Sequence, residues 1–201
     1  MSHYFTDNRN LDQNRKEIPF RFLGIYYTFI TDNGVFSKTE VDFGTWVLLK
    51  EVCQREIGHR VLDLGCGYGV VGVVCKTQFP QSAMVSVDSN PRAVELTQLN
   101  AVRAKIEVEA LVSDGYTEVE GTFSTIITNP PIRAGKKVIY DFFEQAYDYL
   151  EDEGSLWVVI RKQQGAPSAK KKIEEVFGNC DLIKKDKGYW VLKATKKTLT
   201  D

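Results

Sequence analysis

A glycine-rich segment between two regular patterns constrains the fold of this chain most. Arg60–Leu64 is a short apolar run typical of a buried strand, and glycine then recurs at positions 65, 67, 69 and 72. Residues 70–79 follow with a helical pattern that Pro80 stops. Glycine lets the backbone turn tightly and approach a ligand closely, and the first N–H groups of a helix can face an anion. The order predicts the first unit of a sheet whose strands alternate with helices.

Asp88 lies where such a unit needs an acidic side chain. Residues 83–87 predict the next strand, and Asp88 follows it sixteen residues after Gly72. A carboxylate at this place can accept hydrogen bonds from both ribose hydroxyls of an adenosine. We therefore interpret the segment as a site for an adenosine-containing cofactor rather than as a purely structural turn.

The glycine pattern alone leaves the kind of cofactor open. Gly67–Gly72 reads G-x-G-x-x-G, the pattern of dinucleotide-binding loops. Two features argue against a dehydrogenase. The glycine series starts earlier, at Gly65, and Asp63 precedes it by two residues; the second feature is the motif at Asn129.

Strand and helix patterns alternate through the rest of the chain. We predict strands at 20–31, 60–64, 83–87, 106–112, 123–128, 155–160, 181–185 and 189–194, and helices at 42–57, 70–79, 91–103, 137–150 and 169–177. The apolar strands between helices predict a Rossmann-like, doubly wound, mostly parallel sheet of about seven strands. Asp186-Lys187-Gly188 predicts an antiparallel C-terminal hairpin.

Length and composition favour one domain. The 201 residues predict a flexible arm at 1–18, an N-terminal β/α extension at 19–58 and a core at 59–201. No apolar run approaches the roughly 20 residues of a membrane helix, and the first residues do not resemble a signal peptide. We therefore expect a cytoplasmic protein that does not enter a membrane.

Cysteine and histidine usage argues against a metal site. The four cysteines form no C-x-x-C pair, and the two histidines have no ligand neighbours at the usual spacing. Reduced thiols in a cytosolic protein fit this pattern.

The charge is distributed unevenly although the net charge is −1. Residues 161–201 carry 11 Lys and Arg against 5 Asp and Glu, whereas residues 1–160 carry 15 against 22. The basic segment either contacts a phosphate backbone or forms a solvated lysine-rich surface. If it binds RNA, we expect the contacts in 133–137 and 161–172.

Asn129-Pro130-Pro131 ends the strand predicted at 123–128. The prolines stop the strand and fix the backbone. The asparagine side-chain oxygen and the first proline carbonyl can then accept hydrogen bonds from one planar NH₂ group. A rigid exit from the strand is the alternative interpretation, and the glycine loop elsewhere in the chain favours the functional one.

Together and in this order, the motifs resemble class I S-adenosylmethionine-dependent methyltransferases. The sequence is similar to the methyltransferase small domain family, which includes 16S ribosomal RNA guanine-N2 methyltransferases. The resemblance covers nearly the whole chain, and the matching pieces are 34–38, 42–45, 61–72, 87–88, 113–115, 129–132, 161–166 and 187–189.

The resemblance implies a role for particular positions. It places Asp63, Gly65, Cys66 and Gly67 around the methionine part of the cofactor, Asp88 at its ribose and Asp114 near its adenine. Gly69, Ser89, Gly115 and Thr45 complete the implied cofactor contacts. Asn129, Pro130, Pro131 and Ile132 form the implied catalytic motif. Phe36, Lys38 and Thr45 line the mouth of the site. Beside the motif, Arg133 can contact the substrate, and Lys136 either meets phosphate or begins a solvated helix.

Ile132 departs from the motif of many such enzymes, which have an aromatic residue there for a base to stack on. Its apolar flank packs on a base without a π-face, and the Arg133 guanidinium can stack or contact phosphate instead. We expect S-adenosylmethionine-dependent N-methylation of a guanine N2 in ribosomal RNA or a ribosomal subunit. The alternatives are methylation of a protein glutamine amide or a small molecule, or a non-catalytic domain that binds RNA or the cofactor.

Overall fold

Two sheets of different size organise the chain. The computed structural model describes residues 12–198. Within them, a two-stranded hairpin precedes a seven-stranded sheet. The strands are β1 (Lys16–Phe22), β2 (Ile25–Thr31), β3 (Arg60–Leu64), β4 (Ala83–Asp88), β5 (Glu109–Val112), β6 (Phe123–Thr128), β7 (Leu150–Arg161), β8 (Asp181–Asp186) and β9 (Tyr189–Thr195). The helices are α1 (Phe43–Val52), α2 (Val70–Gln78), α3 (Pro91–Arg103), α4 (Lys136–Tyr149) and α5 (Ala166–Phe177).

The large sheet has the strand order β5-β4-β3-β6-β7-β9-β8. Strands β3 to β7 are parallel, and β9 runs antiparallel between β7 and β8. The order reverses between β3 and β6, so the carboxyl ends of these two strands flank the switch point where such folds bind ligands. The predicted doubly wound, mostly parallel sheet with an antiparallel C-terminal hairpin is confirmed.

Apolar residues on both faces of each strand explain why the sheet is covered on both sides. In β6, Ile126 packs into a core with α4 and α5, while Ile127 packs into a core with α1, α2 and α3. Both side chains are fully buried. The β1–β2 hairpin joins the second of these cores, where Asn100 of α3 bonds both the N–H and the carbonyl of Ile30 at 2.7 and 3.0 Å.

The single strand predicted at 20–31 is wrong, because the segment folds back on itself. Leu23 and Gly24 turn the chain between β1 and β2 with φ values of 47° and 80°. Two successive residues with positive φ suit a tight hairpin. The hairpin starts at Lys16, so residues 16–18 of the predicted arm belong to β1. Residues 1–11 of that arm lie outside the described residues, and the boundary at 58/59 stays a prediction.

Other element boundaries shift by a few residues. The helix predicted at 42–57 ends at Val52, and Asp42 caps its start. The strand predicted at 155–160 begins at Leu150 instead, because Leu150 pairs with Phe123 across a register shift. Among residues 12–198, no helix is both long and apolar enough to cross a bilayer.

Candidate active site

The carboxyl edge of the parallel strands collects most of the predicted site residues. The glycine loop follows β3, Asp88 ends β4, Asp114 follows β5 and Asn129 follows β6. Thr128 Oγ1 donates to the Leu64 carbonyl at 2.8 Å and ties β6 to β3 at this edge. The glycine loop and Asn129 therefore lie side by side across the switch point.

The N–H groups of all four glycines of the loop already have acceptors within the protein. The amides of Gly65 and Cys66 both donate to the Val87 carbonyl, at 2.8 and 2.9 Å. The Gly67 amide donates to Asp88 Oδ2 at 2.9 Å, and the Gly72 amide to Asp63 Oδ2 at 3.0 Å. A pyrophosphate needs free N–H groups at such a loop. The geometry therefore argues against a dinucleotide.

Open space lies in front of the first two glycines. Gly65 and Gly67 have φ values of 77° and 56°, and a Cβ atom on either would meet nothing within 4 Å. A Cβ on Gly69 would instead lie 2.9 Å from Thr97, and one on Gly72 would lie 2.5 Å from Ser86 Oγ. The first pair leaves room for a ligand against the backbone, and the second pair lets the loop pack on α3 and β4. The loop fits a cofactor without phosphates.

The buried Asp63 side chain stabilises the glycine loop from the interior of the protein. It accepts from the Gly72 amide. Burial, with a contribution from the charge on Asp88, raises the pKa of Asp63 to about 7. The predicted contact of Asp63 with the methionine part of a cofactor stays a prediction.

Asp88 connects the loop to the start of α3. Its Oδ1 accepts from the Asn90 amide at 2.9 Å, and Asn90 caps the helix. Burial raises the pKa of Asp88, and the N–H bonds from Asn90 and Gly67 oppose that rise. A carboxylate has about four acceptor sites, so Asp88 keeps capacity for ribose hydroxyls.

The remaining residues predicted on the cofactor side lie near Asp88 and the loop. Cys66 is buried, with its Sγ 3.4 Å from Thr97 Oγ1, and burial raises the pKa of its thiol. Asp114 is exposed, and the preceding Ser113 amide donates to the Asp88 carbonyl at 3.0 Å. Ser89 is half-buried beside Asp88, and Gly115 packs near Phe142.

Phe36 and Lys38 lie in the loop between β2 and α1. Tyr68 Oη donates to the Ser37 carbonyl at 3.3 Å, and Asn90 Nδ2 donates to the Gly34 carbonyl at 3.0 Å. These bonds hold the loop beside the glycine segment and the start of α3. Phe36 is 68% exposed, and Lys38 Nζ donates to Asn33 Oδ1 at 3.2 Å.

The Asn129 side-chain amide has a fixed orientation. Its Nδ2 donates to Asp42 Oδ2 and to Thr45 Oγ1, each at 3.0 Å. The flipped amide would set its oxygen against the Asp42 carboxylate, acceptor against acceptor. Both amide hydrogens are therefore used, and Oδ1 has no hydrogen-bond partner within residues 12–198. The arrangement presents one acceptor at the carboxyl end of β6.

Asp42 joins three parts of the chain at this point. Its Oδ2 also accepts from the Thr45 amide at 3.0 Å, and its Oδ1 accepts from Tyr189 Oη at 3.3 Å. A Cβ on Gly44 would lie 2.5 Å from the Tyr189 ring, so only glycine admits this approach. No role was predicted for Asp42 or Tyr189, although both lie in segments that resemble the family, because no local pattern links residues this far apart in the chain. Thr45, predicted at the mouth, is buried beside Asn129.

The matches to known proteins agree with this geometry. The model of the methyltransferase small domain family matches residues 26–193. The chain belongs to the methyltransferase small domain family. The YbxB protein of Bacillus subtilis (strain 168) is 42% identical over 96% of this chain and 98% of its own length.

Larger relatives match over part of their length. Ribosomal RNA small subunit methyltransferase C of Pasteurella multocida (strain Pm70) is 35% identical over 77% of this chain and 47% of its own. The T. thermophilus 16S rRNA N2 G1207 methyltransferase (RsmC), solved with AdoMet and guanosine, superposes with a TM-score of 0.84. It is 28% identical and covers 93% of this chain and 52% of its own. The chain thus spans about half the length of these rRNA methyltransferases. The chain itself is an S-adenosylmethionine-dependent methyltransferase.

Two cationic side chains lie close to the part of the site that contains Asn129 and Asp42. Arg161 Cζ lies 4.7 Å from the Tyr189 ring centroid, and Lys187 Nζ lies 4.7 Å from that of Phe43. Both are exposed, and neither forms an ion pair within residues 12–198. We call Arg161 and Lys187 the edge cations. They keep their charge available for an anion at the rim of the site.

The lysines of α5 differ from the edge cations. Lys170 pairs with Glu174 at 3.3 Å, and Lys172 pairs with Glu144. Their charges are therefore partly neutralised, which weakens the predicted phosphate contact of this part of 161–172. Across the β6–α4 connection, Arg133 and Lys136 are exposed, and Ile132 is half-buried against the core under α4.

Within the part of the chain that the structure describes, no three His, Cys, Asp or Glu residues gather as a metal site. All four cysteines are free.

Proposed function

We propose that this methyltransferase transfers a methyl group to N2 of a guanine in ribosomal RNA. The single observation that carries the proposal is the Asn129 amide, whose two hydrogens are held by Asp42 and Thr45. The amide oxygen is left to accept from a substrate, as an amine with N–H groups requires. The rRNA methyltransferases named above support the choice of substrate.

Asn129 and Pro130 would hold both hydrogens of the target NH₂ group. The lone pair of an exocyclic amine is delocalised into its ring, which makes the amine a poor nucleophile. Hydrogen bonds from both N–H groups to Asn129 Oδ1 and the Pro130 carbonyl favour a tetrahedral nitrogen. These acceptors also stabilise the positive charge that builds on nitrogen, in the way that donors stabilise an oxyanion.

The cofactor side would hold S-adenosylmethionine against the glycine loop. When bound, S-adenosylmethionine supplies a methyl group that its sulfonium makes electrophilic. We assign the contacts to the residues of the loop and the adjoining strand ends, namely Asp63, Gly65, Cys66, Gly67, Gly69, Asp88, Ser89, Asp114, Gly115 and Thr45. Because the loop and Asn129 lie side by side, the chain brings both reactants into one cleft, which is most of what this reaction requires.

Proton transfer needs no dedicated base in this proposal. The amine proton becomes acidic once the methyl group is attached, so water can remove it. His59, the one histidine among the described residues, precedes β3 at the opposite edge of the sheet and pairs with Glu151 at 3.3 Å. It lies outside the cleft.

The edge cations support RNA as the substrate. Arg161 and Lys187 border Tyr189 and Phe43, which adjoin Asp42. Phosphates on either side of a guanine held at Asn129 would meet these charges. Arg133 and Lys136 would add contacts on the other side of Asn129, and Ile132 would pack on the base. A ribosomal RNA substrate also implies a cytoplasmic enzyme.

Methylation of isolated substrates tests the proposal. Purified enzyme and labelled S-adenosylmethionine are incubated with total RNA, assembled small ribosomal subunits, total protein and a small-molecule extract from cells lacking this protein. We expect label in ribosomal RNA and N2-methylguanosine after digestion to nucleosides. Label in glutamine of a protein, or in a small molecule, would replace the RNA proposal. A catalytically silent protein that binds cofactor would point to the non-catalytic alternative.

A further inference from the structure

Among the described residues 12–198, one charged side chain, that of Asp42, hydrogen-bonds to the Asn129 amide. Its Oδ2 lies 3.0 Å from Asn129 Nδ2. A carboxylate next to the NH₂ end of an amide polarises the amide and makes its oxygen a stronger acceptor.

We infer that Asp42 is a positioning residue that orients and polarises the Asn129 amide for the substrate amine. The inference rests on the proposed function, because it concerns the same amine. Asp42 acts through Asn129 and does not touch the reacting atoms. Without its carboxylate, the Asn129 amide could rotate and present its NH₂ group to the substrate, donor against donor.

Two bonds besides the one to Asn129 hold Asp42 in place for this role. Oδ2 caps α1 through the Thr45 amide, and Oδ1 accepts from Tyr189 Oη at 3.3 Å. Burial and the charge on Asp42 raise the pKa of Tyr189, so its hydroxyl remains a donor at neutral pH. Gly44 removes the side chain that would collide with the Tyr189 ring. A carboxylate fixed at both oxygens holds the Asn129 amide in one orientation.

Two substitutions separate the charge of Asp42 from its geometry. Asp42→Asn keeps an oxygen for both donors at Oδ2, and asparagine caps a helix as well as aspartate does. It removes the charge and places an NH₂ group at the Oδ1 position, from which the Tyr189 hydroxyl can accept instead of donate. We expect kcat to fall about tenfold, the difference between a charged and a neutral acceptor. Asp42→Ala removes orientation as well, and we expect kcat to fall about 10²-fold, as on loss of one oxyanion-hole donor. KM should change little in either variant.

Heteronuclear NMR of the Asn129 side-chain amide provides a readout that needs no substrate. In the wild type, both amide protons should exchange slowly with water, because both are bonded. In Asp42→Ala, one of them should exchange much faster, while the backbone amides of α2 and α3 keep their wild-type protection. Unchanged exchange of the Asn129 amide in Asp42→Ala would overturn the inference.

Rates on RNA provide the second readout. In an Asn129→Ala background, adding Asp42→Asn should leave kcat unchanged, because the residue through which Asp42 acts is gone. A further tenfold loss in the double variant would overturn the inference and leave Asp42 with a structural role only. Glu153→Gln, which removes an exposed carboxylate that accepts from Thr198 at 3.0 Å, serves as the matched control and should keep wild-type kcat.

The two proposals fail separately. If the wild type does not methylate RNA but the Asn129 amide responds to Asp42→Ala as expected, the RNA proposal fails and the positioning role stands. If the wild type methylates RNA but the amide does not respond, the substrate stands and the role of Asp42 fails.

Discussion

The two halves of the site are built from different kinds of contact. In the cofactor half, the bonds to Asp63 and Asp88 come from backbone amides of Gly72, Gly67 and Asn90, at separations of 9, 21 and 2 residues. In the Asn129 half, one bond is also of this kind, from the Thr45 amide to Asp42, but the three bonds that join Asn129, Asp42, Thr45 Oγ1 and Tyr189 run from side chain to side chain, at separations of 84, 87 and 147 residues. One half is local and made of backbone, whereas the other is distant and made of side chains.

The difference determines how each half responds to substitution. A backbone donor survives replacement of its own side chain, so the cofactor half depends on few residue identities beyond glycine and the carboxylates. In the Asn129 half, every bond in the chain Tyr189–Asp42–Asn129 disappears with one side chain. We therefore expect the chemical step to be more sensitive to single substitutions than cofactor binding is.

Asn129→Ala should have the largest effect. It removes one acceptor for the amine, while Pro130 and Pro131 hold the loop in place. By comparison with deletion of one oxyanion-hole donor, we expect kcat to fall about 10²–10³-fold, or roughly 2.7–4 kcal/mol. Cofactor affinity should change little. Single-turnover methyl transfer alongside cofactor titration measures both quantities.

Asn129→Asp sharpens the same test. A carboxylate also accepts and favours the developing positive charge, but it would face the Asp42 carboxylate, so only partial activity is expected. If Asn129→Ala methylates at the wild-type rate, the amide does not hold the amine and Asn-Pro-Pro is only a loop exit.

Asp88→Ala should act on cofactor binding. The loss of charge-assisted hydrogen bonds costs about 1.5–3 kcal/mol, so we expect affinity for S-adenosylmethionine to fall about 10- to 150-fold. Calorimetry measures the change, and Glu153→Gln again serves as a control of the same lost charge. Wild-type affinity in Asp88→Ala would contradict the ribose assignment.

The local half of the site is also the half that sequence predicts. The strand at Arg60–Leu64, the glycines that follow it and Asp88 lie close together in the chain, so turn chemistry and spacing were enough to place them. The sheet followed for the same reason, because each β-α unit is a local pattern. Asn129 was placed correctly at the end of β6, because two successive prolines cannot continue the hydrogen-bond ladder of a central strand.

The distant half could not be predicted from the chain. No spacing rule links Asp42 to Tyr189, because their contact depends on β9 lying antiparallel beside β7. The β1–β2 hairpin was missed for a different reason. Leu23 adopts a positive φ that leucine rarely takes, so the turn before Gly24 carries no strong sequence signal.

The edge cations and the α5 lysines provide a test of where RNA lies. Arg161→Gln with Lys187→Gln should weaken RNA binding and flatten its dependence on salt by up to about two units of slope, because each lost phosphate contact removes about 0.9. The matched control is Lys170→Gln with Lys172→Gln, which removes two charges that already pair with Glu174 and Glu144. Filter binding across a salt series measures both slopes. Equal losses in the two variants would mean that RNA contacts the basic C-terminal region generally rather than the rim beside Asn129.

Asp63→Asn should have the smallest effect on activity, because asparagine keeps an acceptor beside the glycine loop, and its main effect should be on stability. Because burial raises the pKa of Asp63 to about 7, the folded protein keeps a proton that the unfolded chain has lost above about pH 4. The folded state binds more protons in this window, so the contribution of Asp63 to stability falls as the pH rises from about 4 to about 7. Asparagine accepts from the Gly72 amide and does not titrate. The stability of the variant should therefore rise relative to that of the wild type as the pH increases from about 4 to about 7. We expect the Tm of the variant to rise relative to that of the wild type by at least a few degrees across this window, since each kcal/mol is worth about 2–4 °C in a chain of this length. A difference in Tm that stays constant from pH 4 to pH 7 would mean that Asp63 is already ionised in the folded state across this range, which would contradict the prediction.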